Sequence, residues 1–571
     1  MKKRLMQGAL MIAAASILAA GTLVKKAAAD DDHDRFANFD FVPDTLVLSR
    51  SVYLGTASTV MIGETLPLGC AGGANGSTNV NVPLLAGGTT PVNVPCGIGS
   101  DNGEAPNLFN SHNVWNNANS DGSFGVTSPI ILDDLTTDGQ FLGSLFIPTG
   151  QMVTSFSSKS ELALNRSIDG KSLTFMGYQS GPGCGGYPVS PTAPNLLDVS
   201  ASNTPGVCDP TNPVITTYQS GSVVPTAYYR AVAEVDAHGH LSITDGNAYS
   251  GDNGRAAIKG GNGLYYMVGN DNSGNLSKKQ IPLTQDGVNL YNATGAELLV
   301  PGQAPPAPPN ITMVGRLEIG TDKLGKDTNF RGLTIFNNTL YISKGSGSNG
   351  INTVYQVGTS GTLPAGSAAN LATVPIAVLP GFPNTTDSTN TSFPFGMFFA
   401  NASTLYVCDE GDGTLVSPPV NGNVADAQSL ATAGVQKWVL ESDGNWHMLY
   451  VLQDGLNIGV PYGVPGYPAS LDPATGGCRN MTGRVNGDGT VDIFAITSTI
   501  STNGDQGADP NKLVKVTDIL SANTLPAPSG NPFWGRPIGL FRTLRTARAG
   551  EVFRGVAFAP EDRGDADHGR R

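Results

Sequence analysis

The chain has 571 residues, with Gly 73, Pro 39, only 14% charged residues and a formal net charge of −13. Gly and Pro are the poorest helix formers, so a helical bundle is excluded in favour of many short strands joined by turns. The acidic balance argues against nucleic acid or an anionic membrane surface as a partner.

Lys2, Lys3 and Arg4 form a basic start, an apolar run follows from about Ala9 to Val24, and Ala27-Ala28-Ala29 precedes Asp30. That order of basic, apolar and small residues is an export signal, with cleavage expected after residue 29. Lys25 and Lys26 are unusual so near a cut, and retention as an anchor is the alternative. Cleavage removes five Lys/Arg and no acid, taking the net charge from −13 to −18. No later segment is apolar enough to span a bilayer as a helix. The expected location is the periplasm or exterior of a bacterium, as a monomer.

The six cysteines are Cys70, Cys96, Cys184, Cys208, Cys408 and Cys478. In an oxidising compartment an even number reads as disulfides. Closest spacing suggests Cys70–Cys96 and Cys184–Cys208, leaving Cys408–Cys478 by elimination. No CxxC spacing supports zinc or redox chemistry.

"DTLVLSRSVYLG" (44–55) opens the mature chain as a strand without a hairpin partner. From there two hairpin types alternate. The first is a short apolar strand, a polar turn and a second apolar strand. It occurs in "SELALNRSIDGKSLTFMGYQS" (160–180), "GRAAIKGGNGLYYMVGND" (254–271), "FRGLTIFNNTLYISKGSGSNG" (330–350), "PFGMFFANASTLYVCDEGDG" (394–413) and "NMTGRVNGDGTVDIFAITST" (480–499). The second has longer strands around Asp-Gly or His-Gly, as in "PIILDDLTTDGQFLGSLFIP" (129–148), "AYYRAVAEVDAHGHLSITD" (227–245) and "VQKWVLESDGNWHMLYVL" (435–452). Asn-Gly and Asp-Gly between apolar runs mark tight reversals, because those turns need positive φ.

Hairpin, loop, hairpin is a four-stranded unit, and such units at long period read as propeller blades. First strands begin near Glu161, Arg255, Arg331, Phe395, Thr482 and Arg554. The fold class is therefore all-β, a single β-propeller of six four-stranded blades, with seven as the alternative. The final "FRGVAFAP" (553–560) has nothing after it but a polar tail, 561–571. It is expected to close the ring by pairing with the N-terminal strands. The propeller domain spans 40–560, interrupted by long insertions at 56–127, 180–226, 271–330 and 408–434.

The turn "SIDGK" resembles that of bacterial propeller repeats of the YVTN and lactonase-like kind. The chain as a whole resembles secreted bacterial propellers, a group that includes alkaline phytases and esterase-like domains. The resemblance implies the fold and brings no active-site motif with it, since one fold hosts many activities.

Most long insertions fall in the loops between the second and third strands of a unit, and binding residues concentrate on loops over a rigid scaffold. On that face the innermost strands begin beside cations: Lys159, Arg255, Arg331, Arg479 and Arg554. A ring of such groups suits a multivalent anion. Pairing with nearby Asp252, Asp327 and Glu551 is the structural alternative. Asp409, Glu410, Asp412 and Asp271 lie on Gly-rich loops that would suit calcium. A calcium-dependent hydrolase of phosphate esters or lactones is accordingly the alternative to a binding protein for a small anion or a surface partner. No HExxH, GxSxG or phosphate-loop signature is present. "RVNGDGTVDIF" (484–494) has Asn486, Asp488 and Asp492 at calcium-loop spacing, but Arg484 and Ala495 occupy the two end positions where acids are needed. It is read as a hairpin turn.

Overall fold

In the computed structural model, the residues described run from 39 to 562 with interruptions. Outside them lie 1–38, 54–75, 84–88, 97–115, 181–214, 270–295, 300–312, 315–329, 346–350, 367–373, 385–391, 414–430, 501–506, 528–536 and 563–571, with breaks of three residues or fewer elsewhere. The chain divides into two units, Met1–Asp40 and Phe41–Arg571, and every strand belongs to the second. Among the described residues there is no helix long and apolar enough to cross a membrane.

Among the described residues, six four-stranded antiparallel sheets succeed one another along the chain, arranged as in a propeller. The innermost strands of five are Asn165–Arg166, Gly254–Lys259, Phe330–Phe336, Pro394–Asn401 and Ala474–Val485. The sixth sheet joins both ends of the chain. Its inner strand Glu551–Phe558 pairs antiparallel with Leu46–Val52, from Leu46↔Phe558 to Val52↔Glu551. Leu46–Val52 then pairs with Ile130–Leu135, and Phe141–Phe146 lies outermost. The closure expected from the unpaired first and last strands is thus formed, and it removes two sheet edges.

The tight turns behave as their residues dictate. In 486–490, Asn486 N–H donates to the Thr490 carbonyl (2.8 Å) and Asp488 Oδ1 accepts from Thr490 N–H (3.0 Å). Gly489 takes φ 82°, which a side chain would resist. The calcium-like stretch is a hairpin.

The segment 271–330, expected as an insertion, is not wholly one. It contains Ala296–Leu299 and Met313–Val314, the outer pair of the sheet that begins at Gly254–Lys259. Those outer strands are short and lack the Asp-Gly or His-Gly turn that marks three of the other units, so the pattern did not announce them. The innermost strand of the 160–180 hairpin is also shorter than expected, two residues beginning at Asn165 rather than Glu161. Of the other insertions, 56–127 and 180–226 carry two-stranded ribbons, Gly76–Pro83 with Thr89–Cys96 and Ile215–Gln219 with Ser222–Thr226.

The core lies between neighbouring sheets, where apolar side chains of facing strands interdigitate. Phe395, Tyr406, Val435, Ile493 and Val516 form one such layer. Phe494, Leu513, Leu46 and Val556 form the layer across the closure. Along the axis the inner strands come so close that a Cβ at Gly332 would lie 2.2 Å from the Phe395 carbonyl oxygen. A cavity of only about 10 Å³ remains there, lined by Ala163, Ala256, Leu333, Met397 and Met481.

Candidate functional site: a ring of inward cations

Five inner strands carry a β-bulge at the same place. Arg554 is the extra residue against Leu46–Val52, and Arg255 against Tyr265–Gly269. Arg331-Gly332 stand opposite the single residue Ser343, Phe395-Gly396 opposite Cys408, and Arg479-Asn480 opposite Ile496. A bulge re-aims the side chain it carries. Here each large residue is followed by a small or short one, Gly, Ala or Asn, and that pairing was the sequence signal for the bulge. The four arginines are buried, at 4% to 7% exposure.

Neutral polar groups contact three of them. Arg255 Nε donates to Asn253 Oδ1 (3.0 Å) and its Nη1 to the Phe330 carbonyl (3.0 Å). Arg554 Nε donates to Ser51 Oγ (3.0 Å) and its Nη1 to the Ser158 carbonyl (2.5 Å). Asn253 Nδ2 in turn donates to Ser158 Oγ (2.7 Å). Arg331 Nη1 donates to Ser160 Oγ, and its guanidinium lies 5.7 Å from the centre of the Phe395 ring, the one aromatic in the bulge series. Glu551, suggested as the Arg554 partner, instead binds Arg50 (3.0 Å), while Asp252 and Asp327 lie outside the described residues. Residues 158–161 therefore lie against the ring, and the serines in that segment were not singled out from sequence.

Among the described residues, Glu410 brings a carboxylate to the ring. Glu410 Oε2 lies 3.0 Å from Arg479 Nε, at 12% and 5% side-chain exposure. Burial alone would raise the Glu410 pKa. Arg331, Arg479 and Lys159 outweigh it and hold the carboxyl below its ordinary range. So Lys159, Arg331 and Arg479 share one electrostatic site with Glu410. Arg255 and Arg554 meet one another instead through Ser158 and Asn253.

The neighbouring Asp409 faces the other way. Its Oδ2 accepts from Ser392 Oγ (2.9 Å), Phe393 N–H (2.8 Å) and Gln436 Nε2 (2.8 Å), and its Oδ1 from Gly411 N–H (2.9 Å). Burial pushes it up to about 7 in spite of those donors, with the Glu410 charge adding to the rise. Asp409 and Glu410, two of the four carboxylates put forward as calcium ligands, are thus turned to protein donors. Among the described residues no three His, Cys, Asp or Glu side chains are grouped to hold a metal ion. Asp412 lies on the same loop, half-buried, and Asp271 lies outside the described residues.

Cys408 and Cys478 form a disulfide, Cα–Cα 5.2 Å, so the pair left over by elimination is joined. It links Thr404–Asp409 to Ala474–Val485, immediately before Asp409-Glu410 on one side and Arg479 on the other. The pairings suggested for Cys70, Cys96, Cys184 and Cys208 fall outside the residues described with side chains.

A second polar cluster was not foreseen. Lys437 and Asp518, both fully buried, stand 3.1 Å apart. Tyr406 and Tyr450 hydroxyls donate to Asp518 Oδ2 (2.6 and 2.9 Å). Lys437 Nζ also donates to the carbonyls of Ile519, Leu520 and Ala522. Burial lowers the Lys437 pKa, opposed by Asp518. The cluster ties adjacent sheets together, and every strong donor in it has an acceptor.

No protein-family model matches the chain, and no curated protein sequence matches it. Among solved structures, one described as a crystal structure of glucose dehydrogenase aligns with 68% of this chain and 92% of its own, at 13% identity and TM-score 0.30. A second glucose dehydrogenase structure aligns over the same shares at 13% identity and TM-score 0.29. A structure described as NanB plus Optactamide aligns over 91% of this chain and 81% of its own, at 9% identity and TM-score 0.17. Similarity at this level carries no argument about the chemistry of this chain.

Proposed function

We propose that the protein is an exported propeller that binds a small anionic ligand at the mouth of its arginine ring. The six four-stranded sheets are read as six blades, and the site as the end of the axis where residues 158–161 and 409–411 meet. One observation carries the reading: three cations, Lys159, Arg331 and Arg479, act on a single carboxylate, Glu410, in a chain whose net charge is −13. Clustered cationic groups favour a phosphate or carboxylate group, which guanidinium forks bind bidentately. Glu410 holds the cations until a ligand anion competes for them. The Cys408–Cys478 bridge fits an oxidising compartment, in keeping with the basic and apolar N-terminus.

The test is equilibrium binding of citrate, a multivalent carboxylate, to wild type and to R331Q and R479Q. Binding in wild type that weakens about tenfold in each variant supports the reading, as expected for loss of one charge-assisted contact. Unchanged citrate affinity in both variants sinks it. A panel of phosphomonoester, phosphodiester and lactone substrates with calcium or EDTA separates the hydrolase alternative, because chelator-sensitive turnover would favour that reading instead.

A further inference from the structure

The stretch "RVNGDGTVDIF" has a second property besides its turn. Arg484 and Asp492 are direct partners in the hairpin register, and both line a cavity of about 290 Å³. The cavity lies on the face of the tight turns, away from the arginine ring. It sits between the sheet of Ala474–Val485 and the closing sheet, whose Thr137 and Asp138 turn completes the wall. Its volume is that of roughly ten water molecules, at the lower end of small-ligand sites.

Inside, Lys515 and Asp492 form a fixed pair at 3.0 Å, at 9% and 2% side-chain exposure, and Thr517 Oγ1 donates to Asp492 Oδ1 (2.7 Å). At the rim stand Arg484 and Arg542, 41% and 46% exposed. Arg484 stands 3.7 Å from Asp44, itself 84% exposed, and Arg542 pairs with Asp138, 67% exposed. Pairs so exposed are screened by water and contribute little, so a ligand can draw either guanidinium away at little cost. The inner carboxylate, by contrast, is already neutralised by Lys515.

We propose that this cavity binds the phosphate or carboxylate group of a small molecule, held between the guanidinium groups of Arg484 and Arg542 with its polar body over Lys515 and Thr517. Two planar forks, from the innermost and outermost strands of one sheet, select an oxyanion over a neutral ligand. This site is independent of the arginine ring, and the two are tested apart.

The experiment titrates the full chain by calorimetry with inorganic phosphate and, separately, with succinate, at low ionic strength. Saturable binding of either is expected, and the tighter one identifies the ligand group. R484Q and R542Q should each raise Kd about tenfold, and R484Q/R542Q should remove one binding site. R479Q, at the ring, should leave that site intact, so failure here and failure of the ring reading are distinguishable. Both rim arginines are half-exposed, and thermal melting of each variant checks that it is folded. Failure of wild type to bind either anion, or unchanged binding in the folded double variant, overturns the proposal.

Discussion

The Glu410 carboxylate meets the Arg479 guanidinium at 3.0 Å, and these residues lie two and one positions beyond the Cys408 and Cys478 ends of the disulfide. A covalent bond and an ion pair therefore join the same two strands at the same point. The disulfide holds both backbones where the charges meet, so the ion pair needs little further ordering of its side chains.

Reducing that bridge should cost stability. Its loop separation is 70 residues, and the chain-entropy relation then gives roughly 4 kcal/mol. Guanidinium denaturation of C408S/C478S against wild type measures it. A difference below about 1 kcal/mol would show that the closed ring already imposes the constraint.

The two adjacent carboxyls should give opposite pH dependence. Asp409 is raised to about 7, so the folded protein binds more protons there than the unfolded chain between the ordinary Asp value and 7. Its contribution to stability is greatest at low pH and is lost as pH rises through about 7. Glu410 is lowered, so its contribution is present above the ordinary Glu value and is lost as pH falls through the folded value. Wild type minus D409N should therefore be larger at acid pH than above neutrality, and wild type minus E410Q the reverse. Urea midpoints across that range decide the matter, and equal slopes for the two variants would contradict the assignment.

Lys437 and Asp518 should be strongly coupled. Removing one partner leaves a buried charge, so K437M or D518N alone should cost roughly 3–5 kcal/mol. The double variant K437M/D518N should cost less than the sum of the two. Additive losses in the double-mutant cycle would mean the pair acts only through its separate neighbours.

Glycines on the axis and in the turn should respond differently to one methyl group. Gly332→Ala drives Cβ against backbone, 2.2 Å from the Phe395 carbonyl oxygen, and should cost about 3 kcal/mol or more. Gly487→Ala meets open space and should stay within about 0.5 kcal/mol. Gly489→Ala must hold φ 82° and should cost about 1 kcal/mol. Thermal unfolding of the three variants, made singly, gives that order or refutes it.

The sequence by itself determined the all-β class, the alternating hairpins and the pairing of the first strand with the last. These arise from local rules: period-two apolar runs, positive-φ turn residues, and edges that must be paired. It also pointed to cations recurring along the inner strands, although only Arg255 and Arg331 stand near a strand start as expected, while Arg479 and Arg554 lie inside Ala474–Val485 and Glu551–Phe558. Tertiary structure alone decided their partners. Arg554 reaches Ser51 of the strand beside it and the Ser158 carbonyl, Arg331 reaches Ser160 and Arg479 reaches Glu410, all from segments distant along the chain. The Lys437–Asp518 cluster and the cavity beside "RVNGDGTVDIF" were hidden for the same reason. Each is assembled between sheets, from residues whose spacing along the chain carries no trace of their meeting in space.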